Sequence, residues 1–177
     1  MYKLQRVIGL PVIDGSTGVQ AGNVLDVWFD EHWMLTGLIL KAKRWWFSTY
    51  YMAVKGEHVE AWGEDAVIIS SKNAVRRLPH AEIGRSFHSG IVRMKDLPIV
   101  TVGGRQLGRV SDVYFQEIKG KPIVGFELTD GFVSDLMEGR KWLRTPADSG
   151  EWKLGDDAIV VPARCEEDLE KIVTESG

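Results

Sequence analysis

The stretch Gly22-Asn23-Val24-Leu25-Asp26-Val27-Trp28-Phe29 is written again 86 residues later as Gly108-Arg109-Val110-Ser111-Asp112-Val113-Tyr114-Phe115. Glycine, the first valine, aspartate, the second valine and phenylalanine recur in register, with one aromatic exchanged for another before the phenylalanine. The surroundings repeat as well. Leu10-Pro11-Val12 returns as Leu97-Pro98-Ile99, and Gly63-Glu64-Asp65-Ala66-Val67-Ile68-Ile69 returns as Gly155-Asp156-Asp157-Ala158-Ile159-Val160-Val161. Offsets that drift while the apolar runs persist are those of strands kept and loops resized. The chain therefore reads as two copies of one module, and 177 residues suffice for two units of roughly 80 to 90 residues with a small core each. The expected division is 1–80 and 81–177, with Pro79 to Lys95 as the connection.

Within each copy the pattern is that of short strands. Gly9 to Ile13 leads into the turn formers Asp14-Gly15-Ser16-Thr17-Gly18, and the repeated element follows. By simple alternation Val24, Asp26 and Trp28 point one way and Leu25, Val27 and Phe29 the other, the second set being wholly apolar and expected in the core. Asp30 to Trp33 reads as a hairpin turn and Leu35 to Leu40 as the returning strand, with Gly37 marking a close approach. A strand from about Phe47 to Val54, another over Val59 to Trp62 and a third over Ala66 to Ile69 bring the total to six in about 65 residues, the pattern of a small barrel. Ser71 to Leu78 reads as a helical turn. The second copy follows the same plan, except that Asp130 caps a short helix ended by Gly139, and Cys165 to Glu175 presents Leu169, Ile172 and Val173 as the stripe of a C-terminal helix. The expected fold class is mainly β: two tandem small antiparallel β-barrels, a short helix in the second, and a C-terminal helix.

Charge and cysteine content narrow the function. Lys and Arg total 22 against 25 acidic residues, so direct nucleic-acid binding, whose affinity comes chiefly from basic side chains, is disfavoured. Cys165 is the single cysteine, which rules out an internal disulfide and a multi-cysteine metal site. Met1 to Arg6 is followed by no long apolar run and no segment reaches the roughly 20 residues of a membrane span. A cytoplasmic location is expected, with peripheral contact at the inner face of the membrane left open.

Catalytic patterns do not emerge. Gly103-Gly104-Arg105-Gln106-Leu107-Gly108 lacks the spacing of a dinucleotide loop and opens a strand. His32, His58, His80 and His88 pair neither with each other nor with Cys165 in a zinc-like spacing. No metal, cofactor or catalytic residue is expected. Asp26 and Asp112 stand out as polar residues in the middle of apolar strands. Either they are contact points for partners, or they are solvent-facing strand residues bonding a neighbouring turn; two acids on separate barrels do not make a catalytic dyad. Arg44-Trp45-Trp46-Phe47 is the strongest binding candidate, because Trp and Arg anchor interfaces more often than other residues. Consecutive aromatics on a strand alternate faces, so at least one of them must leave its own barrel interior and meet the other barrel, a protein or membrane partner, or a stacked RNA base.

Leu-Pro-Val, a turn, Gly-x-Val-x-Asp-Val-x-Phe, a Gly-centred strand and Gly-x-Asp-x-Val-Ile together resemble the PRC-barrel. That module is shared by the H subunit of photosynthetic reaction centres and by ribosome-maturation factors. The resemblance covers nearly the whole chain, twice, and the insertion Asp130 to Arg140 is similar to that of two-barrel bacterial proteins. It implies a non-enzymatic adaptor that docks a protein partner, in one branch a membrane-associated or electron-transport complex. In the other branch it implies a contact with a ribosomal protein during RNA processing or ribosome assembly. The partner-binding candidates are accordingly Arg44, Trp45, Trp46, Phe47, Asp26 and Asp112.

Overall fold

The computed structural model describes residues 2–32, 34–41, 49–115, 123–131, 138–145 and 149–171, with the backbone alone at 149, 170 and 171. A two-residue strand β1 (Tyr2–Lys3) and one helical turn α1 (Leu4–Val7) precede β2 (Pro11–Asp14), β3 (Gln20–Phe29), β4 (Leu35–Leu40), β5 (Tyr50–Lys55), β6 (Val59–Trp62), β7 (Val67–Ile69) and β8 (Arg76–Pro79). Then come β9 (Arg85–Ser86), β10 (Val92–Arg93), β11 (Pro98–Thr101), β12 (Gln106–Phe115), β13 (Ile123–Thr129), β14 (Lys141–Arg144), β15 (Lys153–Leu154), β16 (Ile159–Val161) and β17 (Glu170–Lys171). They form two curled sheets of the same plan, ordered β6-β7-β2-β3-β4-β5-β8 and β15-β16-β11-β12-β13-β14-β17. Neighbours along each path are antiparallel, with one exception in each sheet: β2 runs parallel to β7, and β11 to β16. The two-barrel β architecture read from the repeat is thus present, with one parallel pair along the main path of each sheet; the short β9 and β10, off that path, are also parallel.

Two helical expectations fail for a shared reason. After a 3-10 turn at Lys72–Ala74, capped by Ser71 accepting from the Asn73 amide at 3.2 Å, the chain extends as β8 along β5. The C-terminal segment does likewise. Residues Ala163–Glu166 are a 3-10 turn, and Glu170–Lys171 pair with β14 where a helix was expected; the remainder of that helix, 172–175, lies outside the described residues. An open sheet edge offers backbone partners that a short isolated helix cannot match, and the local apolar period yields to it. The helix expected after Asp130 falls mainly on 132–137, outside the described residues.

The repeated element is bulged. Along β3 the register on β4 jumps between Val24 and Asp26, and along β12 the register on β13 jumps between Val110 and Asp112. One extra residue, Leu25 or Ser111, reverses the alternation. Val24 therefore joins Val27 and Phe29 in the core, as Val110 joins Val113 and Phe115, while Leu25 moves to the opposite face. The strand faces deduced from unbroken alternation are corrected accordingly.

Pairing also crosses between the copies. β1 lies antiparallel to β12 of the second barrel, with Tyr2 opposite Phe115 and Lys3 opposite Tyr114. Reciprocally, β9 lies antiparallel to β3 of the first, with Arg85 opposite Phe29 and Ser86 opposite Trp28. Each barrel's lead-in segment is seated on the other's long strand. Leu4 and Phe87, just past the two short strands, are both fully buried, a contribution of about 1.5–3 kcal/mol for each such side chain. One continuous apolar cluster consequently runs through both barrels. It is bridged where the Trp62 ring meets Phe115 edge-on at 5.5 Å between centroids.

Candidate functional site

The carboxylates singled out by the repeat are buried, not solvent-facing. Asp26 is 0% exposed and Asp112 3%. The bulge that precedes each one turns it towards the incoming lead-in segment. Asp26 Oδ1 accepts from the Val27 amide at 2.8 Å, while Oδ2 accepts from Ser86 Oγ at 2.9 Å and from the His88 and Ser89 amides at 2.7 Å each. Ser86 Oγ in turn accepts from the Ser89 amide at 2.8 Å and the Gly90 amide at 2.5 Å. One carboxylate thereby ties down the loop that enters the second barrel. Asp112 plays the same part more sparingly: its Oδ1 accepts from the Val113 amide at 2.8 Å and from the Gln5 amide of the arm at 3.2 Å. Burial pushes the Asp112 carboxyl up, against the lowering effect of those two amides. Both acids are clasps between repeats, and neither offers an oxygen to a partner at the surface.

The face of each sheet on the Asp side differs between the barrels. In the first, Trp28, Ile39, Tyr51, Ala53 and Ile83 form a second apolar cluster. The Tyr51 hydroxyl donates to the Ser89 carbonyl at 2.6 Å and so pins the loop over it. In the second barrel Glu127 occupies the register position of Ile39. It is 1% exposed and receives Lys3 Nζ at 2.6 Å, Arg140 Nη1 at 2.5 Å and the Tyr114 hydroxyl at 3.0 Å. Burial opposes ionisation of Glu127, yet the hydrogen bonds from Lys3 and Arg140 outweigh it and hold the carboxyl below its usual range. Lys3 is shifted up: burial works against its charge, and Glu127 and Tyr114 more than offset that. Sequence reasoning missed Glu127. Its signal was an acid within the apolar run Ile123-Val124-Gly125-Phe126-Glu127-Leu128, equivalent to the isoleucine of the first copy.

Asp14 closes the β2–β3 turn. Its Oδ1 accepts from the Ser16 hydroxyl at 2.6 Å and the Ser16 amide at 2.8 Å, and Oδ2 accepts from the Lys72 amide at 2.7 Å. The Ser16 hydroxyl, followed by the Lys72 amide, lowers its pKa to about 2. A cavity of about 550 Å3 lies between Arg144 and Arg164 over Trp152 and Cys165; burial raises the pKa of the Cys165 thiol, which disfavours the nucleophilic thiolate. No grouping of three or more His, Cys, Asp or Glu placed to hold a metal ion occurs among the described residues, and no described helix is long and apolar enough to cross a membrane.

Arg44, Trp45, Trp46 and Phe47 lie outside the described residues, in the connection between β4 and β5. Its described flanks are exposed: Lys41 on one side and, on the other, Tyr50, which keeps 47% of its surface. Tyr50 pairs with Pro79 on β8, whose Arg76 and Arg77 are also exposed.

The PRC-barrel domain profile matches residues 1–75 and again 89–167. The chain belongs to the PRC-barrel domain family. The two matches contain β2 to β7 and β11 to β16, the main strands of the two curled sheets, and the repeated Gly-x-Val-x-Asp-Val-x-Phe is in each the bulged strand that receives the lead-in segment. Among curated proteins, the chain is similar to the uncharacterized protein YrrD of Bacillus subtilis (strain 168), with 29% identity over 139 residues, 78% of this chain and 76% of that protein.

Proposed function

We propose that this tandem PRC-barrel is a non-enzymatic binding module that docks a protein partner through the β4–β5 connection, where Arg44, Trp45, Trp46 and Phe47 supply the anchors. The observation that carries the reading is the 47% exposure of Tyr50 at the foot of that connection, beside the exposed Arg76 and Arg77 of the neighbouring strand. Aromatic and arginine side chains together are the composition of interface hot spots. The buried polar groups support the same reading from the other side: Asp26, Asp112 and Glu127 are taken up in holding the barrels together, so they are not available for acid–base chemistry on a substrate. The connection also differs in sequence between the copies, the second barrel carrying 130–140 in its place.

Affinity capture from the source cell with wild type and Trp46→Ala tests this. A discrete protein lost on substitution, with unchanged circular dichroism and melting temperature, is the expected result. Membrane complexes among the lost proteins would place the partner there. Loss of ribosomal proteins would favour the ribosome-assembly reading instead, and an identical set of proteins from both variants would remove the aromatic run from the function.

A further inference from the structure

The arm formed by β1 and α1 leaves its own barrel and is bound by the other one. Lys3 sits over the Tyr114 ring, its Nζ 5.3 Å from the centroid, and reaches Glu127. Leu4 and Val7 enter the shared core. The Gln5 amide meets Asp112, and Gln5 Nε2 donates to the Ser111 carbonyl at 3.0 Å. Three residues, 8–10, join this arm to β2. Gly9 among them has φ 88° with open space where a Cβ would be, and it is tied to its own barrel by its amide on the Val24 carbonyl at 2.8 Å. The equivalent segment 85–90 is held far more heavily, with three donors converging on Asp26 Oδ2 and the loop continuing into β10, which pairs with β9.

We infer that the seat on β12 is a receptor for this arm sequence in trans, so that two copies of the chain join by exchanging their residues 2–7. The occupant is specified by the seat. It needs a cation opposite Tyr114 for Glu127, an apolar side chain next to it for the core, and an amide for Asp112, in an extended-to-helical turn, and Lys3-Leu4-Gln5 supplies them in that order. Since the contacts of the arm are with the second barrel, connection to the first contributes chiefly an effective concentration, roughly millimolar for a short tether. Dilute protein is then closed on itself, and exchange takes over where copies are crowded, which gives a particle with two β4–β5 connections and hence two docking sites. The inference does not depend on what those connections bind.

Lys3 and Tyr114 face each other directly in an antiparallel pair, a spacing that admits a disulfide. In full-length chains carrying Cys165→Ser, Lys3→Cys and Tyr114→Cys are placed on one chain for an intramolecular control and on separate chains for the test, with Arg6→Cys replacing Lys3→Cys as the measure of random collision. Under mild oxidation the single-chain pair is expected to close as a monomer. The mixed chains should give a covalent heterodimer whose yield rises with concentration and exceeds the Arg6→Cys mixture at least several-fold. A mixed yield no higher than that of Arg6→Cys while the single-chain pair closes overturns the exchange, and failure of the single-chain pair overturns the seat itself.

Discussion

The two barrels keep the same shape on the Asp side of the sheet while filling it with opposite chemistry. In the first, Trp28 on β3 lies over Gly37, and Ile39 and Ala53 complete an apolar layer. In the second, Tyr114 takes the place of Trp28, Glu127 that of Ile39 and Trp142 that of Ala53, and it is Trp142, from β14, whose ring covers the equivalent Gly125. An indole lies on a glycine in both, but it comes from different strands. Moving the large ring across the sheet lets a tyrosine hydroxyl reach a carboxylate, and Tyr114 and Trp142 then meet edge-on at 4.4 Å between centroids. What the repeat preserves is an indole packed on the glycine; polarity follows from what covers the face. The loop at 80–91 brings Ile83 to the first barrel, whereas Lys3 and Arg140 serve the second.

Exchanging the two central residues is the most severe test of that contrast. Ile39→Glu places a carboxylate among the apolar side chains of Trp28, Tyr51, Ala53 and Ile83, with no counterpart of the Lys3 and Arg140 contacts among the described residues, and the cost is expected on the order of 4 kcal/mol or loss of folding. Chemical denaturation measures it. The reverse change, Glu127→Ile, leaves two cations that are already partly exposed, 35% for Lys3 and 51% for Arg140 by side chain. It should cost no more than about 2 kcal/mol. Equal costs for the two changes would mean that the faces are not the chemical opposites described.

The clasps rank next. In Asp26→Asn the amide can present its oxygen to Val27 or to the Ser86, His88 and Ser89 donors but not to both, which is expected to cost about 2–3 kcal/mol. Gly37→Ala and Gly125→Ala each drive a methyl into an indole, Trp28 and Trp142 respectively, and at Gly37 also into the Val54 carbonyl. Overpacking of this kind typically costs about 1–3 kcal/mol. The backbone contact should make Gly37→Ala the worse of the two, and a larger loss in Gly125→Ala would show that the first barrel has more room than its packing implies.

Much of this was legible in the residues. Two barrels followed from the repeated apolar runs, the hairpin at Asp30 from its turn chemistry, where Oδ1 accepts the His32 and Met34 amides, and the role of Gly37 from its place within a strand. Three features were not, each for a physical reason. A bulge reverses alternation without altering composition, so Val24 and Leu25 were assigned to the wrong faces. Pairing of Tyr2 with Phe115 joins distant parts of the chain and leaves no local periodicity, which hid the lead-in exchange and made Asp26 and Asp112 look like surface acids. The spacing of Leu169, Ile172 and Val173 suits a helix, but the edge of β14 claims Glu170–Lys171 as a strand. At the candidate site, the apolar partners of a buried charge cannot be read from one strand, which is why Glu127 passed unnoticed.

The smallest effect separates the two carboxyl shifts in the second barrel by their opposite signs. The pKa of Glu127 is depressed in the fold, so its contribution is present above the carboxyl's unfolded value and is lost as pH falls through the folded one. That of Asp112 is raised by burial, so its ionisation opposes folding at neutral pH and the penalty is relieved as pH falls below its folded value. Asp112→Asn retains an oxygen for the Val113 and Gln5 amides while removing the charge. It should be neutral or slightly stabilising at pH 7, by less than about 1 kcal/mol, and the gain should disappear in acid. Glu127→Gln should be destabilised at pH 7 and approach wild type in acid. Melting temperatures of the three proteins between pH 3 and 7 decide it. Asp112→Asn falling below wild type at pH 7 would mean that the arm is held by the charge on Asp112, and the two clasps would then differ in strength but not in kind.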